Sequence, residues 1–168
     1  MPDDTLRVIL LADTHIADGS GRTLDPRVLD EIDGADLVLH AGDVVGAELL
    51  DELRSRAPVH AVLGNNDEAL RGVLPEELET EVGGVHVAVV HDSGARQGRV
   101  DRLRRRFPDA DLVVFGHSHQ PEDRIGPTGQ RIFNPGSCTQ RRTAPVRTFG
   151  VLEVSNGRID DVRHVELW

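Results

Sequence analysis

The sequence predicts an α/β fold in which two packed β-sheets carry helices on their outer faces. Its first half alternates short apolar strands with helical segments, which favours parallel strands joined by crossover helices. Its second half adds hairpins, so the sheets should be mixed. For a chain of 168 residues with roughly ten strands, two packed sheets are more economical than one very wide sheet.

In the first half, the pattern predicts strands at 7–12, 37–40 and 59–63 and helices at 26–33 and 46–56. Pro26 suits the first turn of a helix that Asp25 caps, and Gly34 ends that helix at residue 32 or 33. Ala57 followed by Pro58 stops the second helix, because the residue before a proline avoids the helical conformation. The Gly-rich loop at 17–22 lies between the first strand and the first helix.

The second half begins with a predicted hairpin, 78–82 and 85–90, that turns at Gly83 and Gly84. A helix at 98–107 and a strand at 111–115 follow. Gly126 to Gly129 then turn a second hairpin into a strand at 131–133, which leads to a tight N-P-G-S loop at 134–137. The closing hairpin, 146–154 and 158–167, has an Asn-Gly turn typical of type I′.

Composition restricts the protein class. The length suits a single domain, 1–168, with a sizeable core, and no apolar run approaches the length needed to span a bilayer. The acidic N-terminus lacks the basic region of a signal peptide, so we expect a soluble, cytoplasmic protein. Cys138 is the only cysteine, which excludes an internal disulfide framework and a Cys-rich zinc site.

Charge restricts the chemistry. All 19 basic residues are Arg, so neither a Schiff-base lysine nor a P-loop lysine is available. The net charge of −10 opposes long-range attraction of polyanions such as DNA. A phosphate substrate would therefore need local positive charge, which bound metal ions can supply.

Five apolar strands each carry Asp, Asn or His at their C-terminal end, the edge where open α/β sheets bind ligands. A buried carboxylate there is costly unless a positive group compensates it. Asp, Asn and His without nearby Cys form a hard-to-borderline metal ligand set. Seven such ligands suit two ions about 3.5–4 Å apart and leave open positions for water and substrate. Such an ion pair stabilises an in-line displacement at phosphorus. The candidates are Asp13, His15, Asp43, Asn65, His91, His117 and His119.

The blocks D-x-H, G-D, G-N-x-D, a strand-ending H and G-H-x-H occur in this order and resemble the calcineurin-like metallophosphoesterase superfamily. The short chain and the N-P-G-S loop resemble its small bacterial and archaeal phosphodiesterase branch. The resemblance covers nearly the whole chain and implies a four-layer α/β/β/α sandwich. It implies that Asp43 bridges two divalent ions, with Mn²⁺ the first to try and Fe, Ni or Zn as alternatives. The first ion would be held by Asp13, His15, Asp43 and His119, and the second by Asp43, Asn65, His91 and His117.

The resemblance further implies a metal-dependent phosphodiesterase that hydrolyses a small phosphodiester through a metal-bound hydroxide. We expect no membrane or nucleic-acid partner, while a homo-oligomer stays open because relatives of the small branch often associate. Two alternatives remain. One is a non-enzymatic metal-binding scaffold, as the retromer subunit of this fold is, and the other is a metal-dependent nuclease.

Two positions depart from the superfamily pattern. Many members have His after the G-N asparagine, proposed to assist the leaving group. Here Asn66 occupies that catalytic position, and an amide is no general acid at neutral pH. We therefore expect diesters and activated aryl esters to be preferred. Asp92 stands where related sequences often have Gly; it could support a ligand, face solvent or disfavour a dianionic substrate.

Other polar residues have simpler interpretations. His40 is expected to be buried or to support a ligand, and Asp67 to cap a helix or accept hydrogen bonds. Asn65 could merely cap a turn. The basic run at 99–106 is expected to be a solvated helix face or, alternatively, a contact for nucleotide phosphate. Arg141 and Arg142 follow the N-P-G-S loop and could reach a substrate phosphate.

Overall fold

The computed structural model describes residues 4–168; residues 1–3 of the acidic N-terminus lie outside that range. The described part has three α-helices, α1 (Pro26–Asp33), α2 (Ala47–Arg56) and α3 (Arg99–Arg106). A short 3₁₀ helix covers Glu68–Leu70. The strands are β1 (Leu6–Leu11), β2 (Leu37–His40), β3 (Val59–Ala61), β4 (Glu77–Val82), β5 (Val85–Val90), β6 (Leu112–Val114), β7 (Glu122–Ile125), β8 (Arg131–Asn134), β9 (Arg147–Ser155) and β10 (Arg158–Leu167).

The strands form two mixed five-stranded sheets. The first has the order β10-β9-β1-β2-β3 and the second β4-β5-β6-β8-β7. β1, β2 and β3 pair in parallel, as do β5, β6 and β8, while hairpins supply the antiparallel edges. The predicted division between crossover pairs and hairpins is confirmed.

Three apolar clusters define the layers. Alternate β1 residues point to opposite faces, so Ile9 and Leu11 pack in the cluster that contains α1 and α2. Val8 and Leu10 pack between the two sheets. A third cluster joins α3, through Leu103, to the outer face of the second sheet. These layers confirm the four-layer α/β/β/α sandwich.

Local signals fixed most boundaries. The Asp25 carboxylate accepts a hydrogen bond from the Arg27 backbone N–H (3.0 Å) and caps α1, as expected. Strand β3 is shorter than predicted, because the Leu63 backbone N–H donates to the Pro75 carbonyl (2.7 Å) instead of a neighbouring strand. Within residues 4–168, none of the helices is both long enough and apolar enough to cross a membrane.

Candidate functional site

The C-terminal ends of strands from both sheets meet at one edge and bring the seven candidate residues together. Those that follow β1, β2 and β3 come from the first sheet, and those that follow β5 and β6 come from the second. The prediction that these strand ends converge is confirmed.

One cluster contains Asp13, His15 and His119. His15 Nε2 lies 3.8 Å and His119 Nε2 3.7 Å from Asp13 Oδ1. The two imidazole rings stack with centroids 5.1 Å apart. Two ligands that each lie about 2.1 Å from one ion are at most about 4.2 Å apart, so these atoms are spaced as ligands of one ion must be.

A second cluster surrounds Asn65. Its Oδ1 lies 3.0 Å from His91 Nε2 and 3.2 Å from His117 Nδ1. Asp43 stands between the two clusters, because its Oδ2 lies 3.4 Å from His91 Nε2 and 3.3 Å from His15 Nε2. That is the position a bridging carboxylate would need.

Several polar atoms in the first cluster lack a partner. Both carboxylate oxygens of Asp13, Nε2 of His15 and Nε2 of His119 are buried without a hydrogen bond. Unsatisfied buried polar atoms are costly and rare in native proteins. Because all four belong to ligand-type side chains at ligand spacing, the residues present fit a divalent ion.

Two backbone carbonyls orient the imidazoles. Nδ1–H of His91 donates to the Ala41 carbonyl and Nδ1–H of His119 donates to the Gln140 carbonyl, both at 2.7 Å. Each bond leaves the Nε2 lone pair directed at the site. Metal-binding histidines usually carry such a second hydrogen bond, and the sequence offered no signal for either carbonyl.

Burial shifts the pKa values of several candidate ligands. It raises the pKa of Asp13 to about 7, since little compensates that carboxylate when it is charged. Burial opposes ionisation of Asp43 as well, but the adjacent His91 and two hydrogen bonds from Asn66 outweigh it and hold the pKa of Asp43 well below its ordinary value. Burial also lowers the pKa of His119 to about 4, which favours the neutral imidazole that a metal requires.

The backbone is strained at five of the seven residues. Positive φ angles between 46° and 74° occur at Asp13, His15, Asp43, His117 and His119. Non-glycine residues rarely adopt this left-handed conformation. It persists only where surrounding structure enforces it, and it concentrates at functional sites.

Asp67 enforces part of this strain. Its buried carboxylate accepts hydrogen bonds from the backbone N–H groups of Asp43 (2.9 Å), Val45 (2.7 Å) and Gly64 (2.7 Å). Asp43 and Val45 both have positive φ. Asp67 therefore accepts hydrogen bonds, as predicted, and its side chain makes no capping bond to the 3₁₀ helix.

Gly64 allows the segments of Asp43 and Asn65 to approach. A Cβ at Gly64 would lie 2.2 Å from Asp43 Oδ1 and 2.3 Å from its backbone nitrogen. No side chain fits there, so the glycine of the G-N block is required by close contact.

His40 and Asn66 both support the site. His40 is fully buried, which lowers its pKa to about 3, and its Nε2–H donates to Thr14 Oγ1 (2.9 Å). Asn66 donates twice to Asp43, from its backbone N–H to Oδ1 (2.8 Å) and from its amide to Oδ2 (2.9 Å). The predicted supporting position of His40 is therefore observed. A catalytic role for Asn66 stays a prediction.

Asp92 and the basic run at 99–106 lie in different environments. Asp92 is exposed and its carboxylate accepts from the Gly94 backbone N–H (2.8 Å), so it faces solvent. The expected solvated face at 99–106 is wrong for Arg99, which is buried, pairs with Glu122 and lies over the Phe115 ring. Arg102 donates to the Ser93 carbonyl (2.8 Å), and both arginines therefore support the fold.

An open cleft of about 890 Å³ adjoins the second cluster. Its walls include Asn65 and His91 from the site, with Gly64, Asp92 and Arg71 beyond them. The cleft offers space beside the clustered ligands for a group larger than a phosphate.

Comparisons with known proteins agree with this geometry. Residues 6–157 match the family model of the calcineurin-like phosphoesterase superfamily domain. A probable metallophosphoesterase of Methanothermobacter thermautotrophicus is 30% identical over 158 residues, which cover 90% of this chain and 87% of that protein. One from Methanocaldococcus jannaschii is 32% identical over 161 residues, which cover 90% and 78%.

Among solved structures, wild-type Vps29 from Entamoeba histolytica complexed with Zn²⁺ is similar, with a TM-score of 0.76 and 24% identity. The match covers 96% of this chain and 98% of that one. At this identity the likeness shows a shared fold.

Proposed function

Since the chain belongs to the calcineurin-like phosphoesterase superfamily, we propose that it is a dinuclear metal-dependent phosphodiesterase. The observation that carries this proposal is Asp43, whose Oδ2 lies within 3.4 Å of one histidine from each cluster. A carboxylate in that position can bridge two ions. The unpartnered buried atoms of the first cluster support the same proposal.

The proposed first ion is held by Asp13, His15, Asp43 and His119. The proposed second ion is held by Asp43, Asn65, His91 and His117. This division follows the two spatial clusters. The His117 ring presents Nδ1 to the site, while the other three rings present Nε2.

Charge explains why ions would be needed. The seven side chains contribute two carboxylates and five donors that are neutral when bound to metal, and the chain carries a net charge of −10. An anionic phosphate would be repelled by these charges alone. Two divalent ions, when bound, supply a positive binding surface, polarise phosphoryl oxygens and lower the pKa of water. The carbonyls of Ala41 and Gln140 keep the rings aimed, and Asn66 and Asp67 hold Asp43 in place.

Oxygen and imidazole donors suit Mn²⁺, and Fe, Ni and Zn are alternatives, because affinity alone does not identify the native ion. The Zn²⁺ complex of the Vps29 neighbour supports a divalent ion in this fold. It does not favour one metal for this chain.

Two features support a diester as substrate. The cleft beside Asn65 and His91 leaves space for a second ester group. Asn66 cannot donate a proton at neutral pH, so poor leaving groups lack the general-acid assistance that is typically worth about 10²–10⁴-fold. We expect Asn66→His to raise turnover of such esters; an unchanged rate would mean that residue 66 does not face the leaving group.

The decisive test is hydrolysis of bis-p-nitrophenyl phosphate by EDTA-treated protein, before and after Mn²⁺ is added, beside p-nitrophenyl phosphate. We expect Mn²⁺ to restore activity and the diester to be preferred. Preference for the monoester would contradict the diester assignment. Tight metal binding without turnover of either ester would favour the scaffold alternative. Absence of metal binding would refute the whole proposal.

A further inference from the structure

The loop that follows the N-P-G-S turn is attached to the first cluster on both sides of residue 142. The Gln140 carbonyl accepts the Nδ1–H of His119 (2.7 Å), and the Thr143 hydroxyl accepts from the Gln120 amide (2.8 Å). Upstream, the Thr139 hydroxyl donates to the Thr14 carbonyl (2.7 Å). These bonds place Arg142 at the rim of the site.

Arg142 has a left-handed backbone conformation within a turn. Among residues 4–168, eight non-glycine residues have positive φ, and five of them are the site residues discussed above. Of the other three, Asn156 belongs to the β9–β10 turn and Val45 is held by Asp67. Arg142 has φ of 50° in a turn that the Ala144 backbone N–H closes by donating to the Arg141 carbonyl (2.9 Å). Glycine would be the easier choice at this φ, and the turn exposes the Arg142 side chain.

The side chain of Arg142 is free to bind a ligand. It is exposed and makes no hydrogen bond or ion pair with any residue in the range 4–168. Its neighbour Arg141 instead donates to the Ala144 carbonyl (3.0 Å), and Arg22, also near the site, donates to the His15 carbonyl (3.3 Å).

We propose that Arg142 binds the phosphoryl oxygens of the substrate beside the first cluster. This inference rests on the proposed function and adds a substrate-binding residue to it. A guanidinium presents paired N–H donors that match two phosphate oxygens. In a chain with a net charge of −10, one unpaired cation at the rim attracts an anion that the surrounding surface repels.

The test compares Arg142→Gln with Arg105→Gln, which removes the same charge from an exposed position on α3. With Mn²⁺-loaded protein and bis-p-nitrophenyl phosphate, we expect Arg142→Gln to lower kcat/KM roughly 10- to 100-fold. Arg105→Gln should stay within twofold of wild type. Arg142→Lys should recover only part of the loss, because an ammonium lacks the planar pair of donors.

Three results would overturn the inference while the proposed function stands. The first is a kcat/KM of Arg142→Gln equal to that of wild type. The second is an equal loss of kcat/KM in Arg105→Gln, which would indicate general charge steering. The third is a melting temperature of Arg142→Gln that no longer rises with Mn²⁺, which would indicate a damaged metal site. If wild type hydrolyses neither ester, the proposed function fails. The role of Arg142 is then tested by calorimetric binding of inorganic phosphate to the Mn²⁺-loaded protein. Weaker binding to Arg142→Gln supports the inference; equal binding, or none to wild type, overturns it.

Arg142→Gly separates ligand binding from folding. Glycine adopts positive φ without strain, so the melting temperature of Arg142→Gly should equal or exceed that of wild type. Its phosphate binding should fall as in Arg142→Gln. A clear loss of thermal stability would show that the side chain supports the loop, and would contradict a role in binding.

Discussion

Asp67→Asn tests the idea that one buried carboxylate holds the metal-site loops in their strained conformation. Asp67 accepts three backbone hydrogen bonds, two through Oδ2 and one through Oδ1. An amide of the same shape has a single acceptor oxygen, so at least one bond is lost and an NH₂ group faces a backbone N–H donor.

The size of the effect follows from the lost contacts. A hydrogen bond to a charged group contributes about 1.5–3 kcal/mol, and in a chain of this size 1 kcal/mol shifts the melting temperature by about 2–4 °C. We expect the metal-free variant to melt about 3–12 °C below wild type. Because the Asp43–Val45 segment loses at least one hydrogen bond in either orientation of the amide, Mn²⁺ affinity should fall about 10- to 100-fold.

Calorimetric melting and Mn²⁺ titration of the same preparations measure both effects. Asp111→Asn is the control, since Asp111 also accepts a backbone N–H, from His86 (2.9 Å), but at an exposed position. Its cost should stay below about 1 kcal/mol, with metal affinity unchanged. The reasoning is refuted if Asp67→Asn has the same melting temperature as wild type, or if it loses stability but retains full Mn²⁺ affinity.

Three further predictions concern single substitutions. Asp43→Asn should abolish ester hydrolysis and weaken both metals while circular dichroism shows an intact fold; near-normal turnover would rule out the bridge. Gly64→Ala should lower Mn²⁺ affinity and stability, because its Cβ would lie 2.2 Å from Asp43 Oδ1, whereas Gly34→Ala, whose nearest contact is 3.8 Å, should behave as wild type in both assays. Hydrogen bonds from Arg27 lower the pKa of Asp25 to about 2, so its ionised carboxylate stabilises the fold fully above its ordinary pKa of about 4, and this contribution is lost as the pH falls through about 2. In urea unfolding, the advantage of wild type over Asp25→Asn should be less than about 1 kcal/mol at this partly exposed site and should shrink between pH 4 and pH 2; a constant difference would contradict the shift.

Much of the site was predictable from sequence, because its signals are local. Short apolar runs located β1, β2, β5 and β6, and the polar residues that follow these strands marked the edge where ligands gather. Proline and glycine bounded α1 for equally local reasons. The localisation, the native metal and the oligomeric state stay predictions.

Contacts between distant segments were not predictable. The basic run resembled a solvated face, yet Arg99 is buried. It pairs with Glu122, 23 residues away, and its guanidinium lies over the Phe115 ring. The partners of His91 and His119 are backbone carbonyls, which carry no residue-type signature. Asn66 was expected to matter for its missing proton, whereas the fold makes it a double hydrogen-bond donor to Asp43.

The sequence by itself determined which side chains stand at the strand ends, since strand period and turn chemistry act over a few residues. Only the tertiary structure decided how those side chains are aimed. The left-handed backbone at Asp13, Asp43 and His119 is intrinsically unfavourable and is maintained by hydrogen bonds from loops far away in the chain. For the same reason Arg142 gained its position from bonds made by Gln140 and Thr143 to the segment of His119.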